Sequence, residues 1–143
     1  RARYAEAYPE LFDEGGPDIE EFNMMAAVDL AYLLQSLGEF ERSKQLLTAV
    51  ESYQANGKMW SGTVRGTSLA RIHLLRGDTD AALAELRKLI DAGWREDWRF
   101  FLVFDPALRA VRDDARFEAL LDDIRTDMAG QLANFNAREN VEN

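Results

Sequence analysis

The chain has 143 residues, 47% of them apolar, enough for one domain that buries roughly two-thirds of its unfolded surface. It has no cysteine, which excludes a disulfide framework, a thiol nucleophile and a thiolate metal site. Acidic residues number 26 and basic ones 17, and the net charge of −9 repels polyphosphate and anionic membrane surfaces on average.

The acidic excess is concentrated early, with 5 basic and 11 acidic residues over positions 1–62 against 12 and 15 over 63–143. No apolar run approaches the ~20 residues that span a bilayer. With no initiator methionine and helical-looking sequence from Arg1 onward, the chain reads as a piece of a longer protein.

In chain order, Arg3 to Phe12 reads as a helix that Pro9 ends or kinks. Gly15-Gly16-Pro17 is a break, and Asp18 can cap a helix from about Ile19 to Leu37 with Ala27, Leu30, Ala31, Leu34 and Leu37 on one stripe. Gly38 supplies a tight turn. A second helix from about Glu39 to Tyr53 turns Phe40, Ser43, Leu46, Leu47 and Val50 inward, and a loop surrounds Met59-Trp60. A third helix begins near Thr63 and holds Leu69, Ile72, His73 and Leu74. After Gly77, Asp78 caps a fourth that carries Ala82, Leu83, Leu86, Leu89 and Ile90 inward until Ala92-Gly93. Residues 94–104 are aromatic-rich. Asp105-Pro106 starts a short helix to about Val111. A long last helix bears Phe117, Leu120, Leu121, Ile124, Met128 and Leu132, and periodicity is lost from Asn134 to Asn143, read as a frayed tail. The expected domain is residues 1–133.

Residues 29–47 align without a gap on residues 68–86, and the two turn glycines, Gly38 and Gly77, stand 39 positions apart. That spacing lies within the range of helical solenoid repeats. Ala31 and Ala70 occupy the middle of the first helix of each copy, and Ser43 and Ala82 an early position of the second. Side chains larger than these would force apart helices packed ~8–10 Å from each other.

On those residues the copies resemble the tetratricopeptide repeat. The likeness covers about residues 20–94. The family's large aromatic early in the first helix is replaced by Ala27 and Gly66, its closing proline is absent, and the long period implies an insertion in the loop at 55–62. Segments 92–95, 104–108 and 112–117 resemble the degenerate closing unit of bacterial repeat arrays found in signalling and transcription-regulator proteins. The resemblance therefore implies an all-α fold, a right-handed α-α superhelix of about two full repeats with flanking helices and a C-terminal capping unit. It implies a protein–protein interaction scaffold within a larger bacterial regulatory protein, not an enzyme and without a cofactor. It also implies a soluble chain, in the cytoplasm or, behind a membrane anchor, the periplasm.

In that family the first helices line a concave groove for partner segments. Register then gives Met25, Val28, Asp29, Tyr32 and Gln35 from the first copy, and Val64, Thr67, Arg71 and Leu74 from the second. The expected partner is a protein or peptide, with no nucleic acid. The lysines and asparagines that clamp C-terminal carboxylates in some members are missing from these positions. Two alternatives are a homodimer formed through residues 3–12 or the last helix, and a sensor of small apolar molecules. The sensor would use Trp94, Trp98, Phe100, Phe101 and Phe104, of which Trp98 is expected to stay partly exposed and to count among the groove residues as well. A terminal helix could also fill the groove internally.

Other chemistry is poorly served by this sequence. His73, the lone histidine, sits on an apolar stripe with no nucleophile or orienting carboxylate in a motif beside it. Asp113-Asp114, Asp122-Asp123 and Asp127 lack the alternating oxygen ligands of a calcium loop, and no glycine loop is built to cradle phosphate. No metal site is expected.

Overall fold

The computed structural model describes residues 2–56 and 62–139, and regular structure among them is helical throughout. The all-α class that the resemblance implies is what the described residues adopt. The helices are α1 (Ala2–Ala7), α2 (Met24–Ser36), α3 (Phe40–Ala55), α4 (Gly62–Leu75), α5 (Thr79–Asp91) and α6 (Ala115–Glu139), with short helical turns at Pro9–Phe12, Arg99–Phe104 and Pro106–Val111. The Met59-Trp60 loop and the side chain of Val64 lie outside the described residues.

Helices α2 and α3 pack as one hairpin, α4 and α5 as another. Both turns depend on glycine: Gly38 has φ +79° and Gly77 φ +80°, where a Cβ would be strained. Asp78 caps α5 as expected, accepting a hydrogen bond from the Ala81 amide at 3.0 Å. Ala31, Ala70, Ser43 and Ala82 are all fully buried where the paired helices meet. Gly66 lets the Leu89 side chain of α5 pack against the α4 backbone, since a Cβ there would lie 2.6 Å from Leu89 Cγ.

Two apolar cores form. One gathers Leu11, Met24, Val28, Leu30, Leu34, Leu46, Leu47 and Val50 around the first hairpin. The other gathers Leu83, Leu86, Ile90, Trp94, Trp98, Leu102, Phe117 and Ile124 around the second. Helix α4 is the shared wall, giving Ile72 to the first and Ala70 to the second. Polar ties cross the seam. Gln35 Nε2 donates to the Leu75 carbonyl at 2.8 Å, satisfying an acceptor at the end of α4, and Arg76 pairs with Glu51 at 2.7 Å.

Several expectations are corrected. Helix α2 starts at Met24, not near Ile19, because fully buried Asn23 gathers the preceding segment. Its Oδ1 accepts from the Glu20 amide at 2.9 Å, and its Nδ2 donates to Glu10 Oε1 and to the Asp18 carbonyl, both at 3.0 Å. Leu37 is the exposed C-cap of α2, and Phe40 is exposed at the first position of α3, where the inward stripe overhangs the end of the hairpin. Met128 and Leu132 are exposed because α6 runs beyond the core, and it stays helical to Glu139, past the position where periodicity fades. Asp123 and Asp127 are exposed on α6 and also make ion pairs. They pair with Arg87 at 2.6 Å and Arg95 at 2.7 Å, fastening α6 to α5 and to the segment after it. Asp114 accepts from the Arg116 amide at the start of α6, and the Arg116 guanidinium holds its carboxyl below the usual carboxylate range.

Candidate functional site

Residues 94–111 close the second core and also build one wall of a cleft. Trp94 and Trp98 face inward, and Asp97, at φ +46°, takes a left-handed conformation uncommon for a residue with a Cβ. The turn that follows, Arg99–Phe104, is wound wide, with backbone hydrogen bonds spanning five residues. Widening a turn shifts the phase of the side chains beyond it. Leu102 is thereby buried, whereas Phe100 and Phe104 emerge 67% and 70% exposed. Trp98, expected to stay partly exposed, is buried instead, with the Arg99 guanidinium 4.6 Å from its ring centroid.

Opposite this wall stand α1 and α2. Together they enclose a cleft of about 390 Å³, lined by Tyr4 from α1, Met25, Asp29, Tyr32 and Leu33 from α2, and Arg71 from α4. Phe100, Phe101, Phe104, Asp105 and Pro106 complete it. The size is within the usual range for small-ligand sites. A hollow of about 580 Å³ also lies between residues 11–17 and α3, but Glu14, Glu41, Arg42 and Lys44 on its wall are opposed charges, and it holds no residue of the expected groove.

Of the expected groove residues, Met25, Asp29, Tyr32 and Arg71 do meet in the cleft. The others whose side chains are described do not line it. Val28 and Thr67 are buried between helices, Gln35 is spent on the Leu75 carbonyl, Leu74 packs against the second core, and Trp98 belongs to that core. Tyr4, Leu33, Phe100, Phe101, Phe104 and Asp105 complete the lining. Phe100, Phe101 and Phe104 carried an aromatic signal in the sequence. Tyr4 carried none, since its approach depends on how the N-terminal segment returns over α2.

At the base of the cleft Arg71 meets two carboxylates. Its Nη2 contacts Asp29 Oδ1, and its Nε lies 2.9 Å from Asp105 Oδ2, ion-pair distance but off the line of a good hydrogen bond. The Arg71 and Asp105 side chains are 6% and 10% exposed, whereas Asp29 is 46% exposed. Asp105 has a second duty, accepting from the Ala107 amide at 2.8 Å to start the turn that follows. Burial and the nearby Asp29 carboxylate push the Tyr4 phenol above its ordinary value, and Arg71 opposes the shift only weakly.

These groups offer aromatic faces and paired charges. The one guanidinium is neutralised by carboxylates, and His73 lies outside the cleft lining. Among the described residues no group of three or more His, Cys, Asp or Glu could hold a metal ion, and no helix is long and apolar enough to cross a membrane. Compared with protein families, curated proteins and solved structures, the chain finds no match.

Proposed function

We propose that this chain is a non-catalytic interaction module, resembling the tetratricopeptide repeat, that holds a segment of a partner protein in the cleft between α1, α2 and residues 99–106. The observation that carries this reading is the pair of exposed rings, Phe100 and Phe104, at the edge of an apolar cleft with a paired Arg71 at its base. A monomer leaves large aromatic side chains together at its surface at an energetic cost, and such rings are common anchors at protein interfaces. Support for the repeat reading comes from the two glycine-turned hairpins and the four small residues buried between their helices. The parent protein would be a bacterial regulator, with this module supplying its contact surface.

A second reading is favoured by one observation: Met128, Leu132 and Phe135 are exposed on successive turns of α6. On it, two copies pair through α6. Selection from a displayed peptide library tests the first reading. Peptides selected by the native chain should lose about tenfold or more in affinity when Phe100 and Phe104 are both changed to alanine. Selected peptides indifferent to that change would contradict it. Sedimentation at two concentrations tests the second, which a constant monomer mass would contradict.

A further inference from the structure

The charged groups lining the cleft are Asp29, Arg71 and Asp105, two carboxylates against one guanidinium. Arg71 and Asp105 are both buried and neutralise one another at depth. The residual negative charge therefore sits with Asp29, nearer the solvent, and its contact with Arg71 uses only one carboxylate oxygen. Around it the lining is aromatic: Tyr4, Tyr32, Phe100, Phe101 and Phe104. Aromatic faces carry negative potential and attract cations.

Each class of anchoring side chain meets this lining differently. An acidic anchor is repelled by Asp29 and by a chain of net charge −9. A purely apolar anchor strips water from Asp29 and gives nothing in exchange, which is costly. A basic anchor avoids both penalties, laying an aliphatic stem along the rings and presenting its charged head to the carboxylate. The chain already stacks its own cations on rings: Arg99 lies 4.6 Å from the Trp98 centroid and Arg42 5.4 Å from that of Phe12. The influence of the two charges on Tyr4 agrees in sign, since Asp29 outweighs Arg71 there.

Resting on the partner-segment reading above, we infer that the cleft takes a lysine or arginine side chain from an otherwise apolar partner segment, with Asp29 and the surrounding rings as its receptor. The segment is the source of the cation, because the exposed Phe100 and Phe104 extend the apolar surface beyond the space one ammonium group fills.

The test is a chemical-shift titration of the full chain with capped tripeptides Leu-Lys-Leu, Leu-norleucine-Leu and Leu-Glu-Leu. The lysine peptide should perturb cleft residues and bind roughly threefold to tenfold more tightly than the norleucine peptide. That advantage should fall with added salt and shrink toward unity in Asp29→Asn. Phe104→Ala, which removes a 70% exposed ring and spares the core, should reduce it as well. Norleucine binding in the cleft as tightly as lysine would overturn the cation preference and leave the partner-segment reading standing. No cleft response to any peptide would overturn both. Butylammonium alone matching the lysine peptide would overturn the segment as source. Cleft shifts that follow protein concentration without peptide would make a second copy the occupant, which also overturns it.

Discussion

Arg71 and Asp105 form a buried ion pair, with Nε 2.9 Å from Oδ2, that ties the second hairpin to the segment closing the cleft. Neither side chain has much water to fall back on, so removing one strands the other. Arg71→Ala should lower unfolding stability by about 3–5 kcal/mol, because the Asp105 charge is left buried and unpaired. Asp29→Ala, at a carboxylate 46% exposed, should cost no more than about 1 kcal/mol. Urea denaturation of the two variants measures the difference. Equal losses would mean that the pair is not the tie it is described to be.

Gly66 of α4 lies against Leu89 of α5, whose side chain occupies the space a Cβ would need. In an exposed helix Gly→Ala gains about 1 kcal/mol from propensity. Here overpacking of about 1–3 kcal/mol opposes it. Gly66→Ala should therefore be neutral to destabilising, and pairing it with Leu89→Ala should recover the propensity gain relative to Leu89→Ala alone. A double-mutant cycle by thermal unfolding measures that coupling, and additivity within error would contradict the close approach.

Tyr4 has its phenol raised from the ordinary value of 10.0, first by burial and then by Asp29. A group that holds its proton more tightly when folded contributes stability that is complete below the unfolded value and lost as pH rises through the folded one. Absorbance titration of the native chain minus Tyr4→Phe should show a tyrosine ionising later than a model phenol, and Asp29→Asn should bring it earlier. A difference curve centred at or below the model value would contradict the placement of Tyr4 beside Asp29.

Much of the fold was readable because it rests on local rules. Gly38 and Gly77 announce their turns through the φ they alone tolerate, and Ala82, Leu83, Leu86, Leu89 and Ile90 follow a helical period that the structure buries as a set. What was misread depends on contacts distant in sequence or on a change of period. The start of α2 is set by Asn23 reaching back to Glu10, which no capping pattern at Asp18 reveals. Trp98, expected to stay partly exposed, is buried, and Phe100 emerges at the surface, across the wide turn after Asp97, a change of period that no residue pattern announces. Four of the eleven residues that line the cleft were legible as groove positions. Met25, Asp29, Tyr32 and Arg71 sit on helices whose register was read from the repeat, whereas Tyr4, on α1, is brought in by the path of the segment between α1 and α2 and the ring-bearing wall by the wide turn at 99–104.

The binding role of the cleft is the central claim, and isotope-edited chemical-shift mapping with a peptide selected from a displayed library tests it most directly. The account predicts that perturbations gather at Tyr4, Tyr32, Phe100 and Phe104, and that Phe100→Ala with Phe104→Ala abolishes them while the rest of the spectrum stays folded. Perturbations gathering instead along Met128, Leu132 and Phe135 of α6, with the cleft silent, would contradict it.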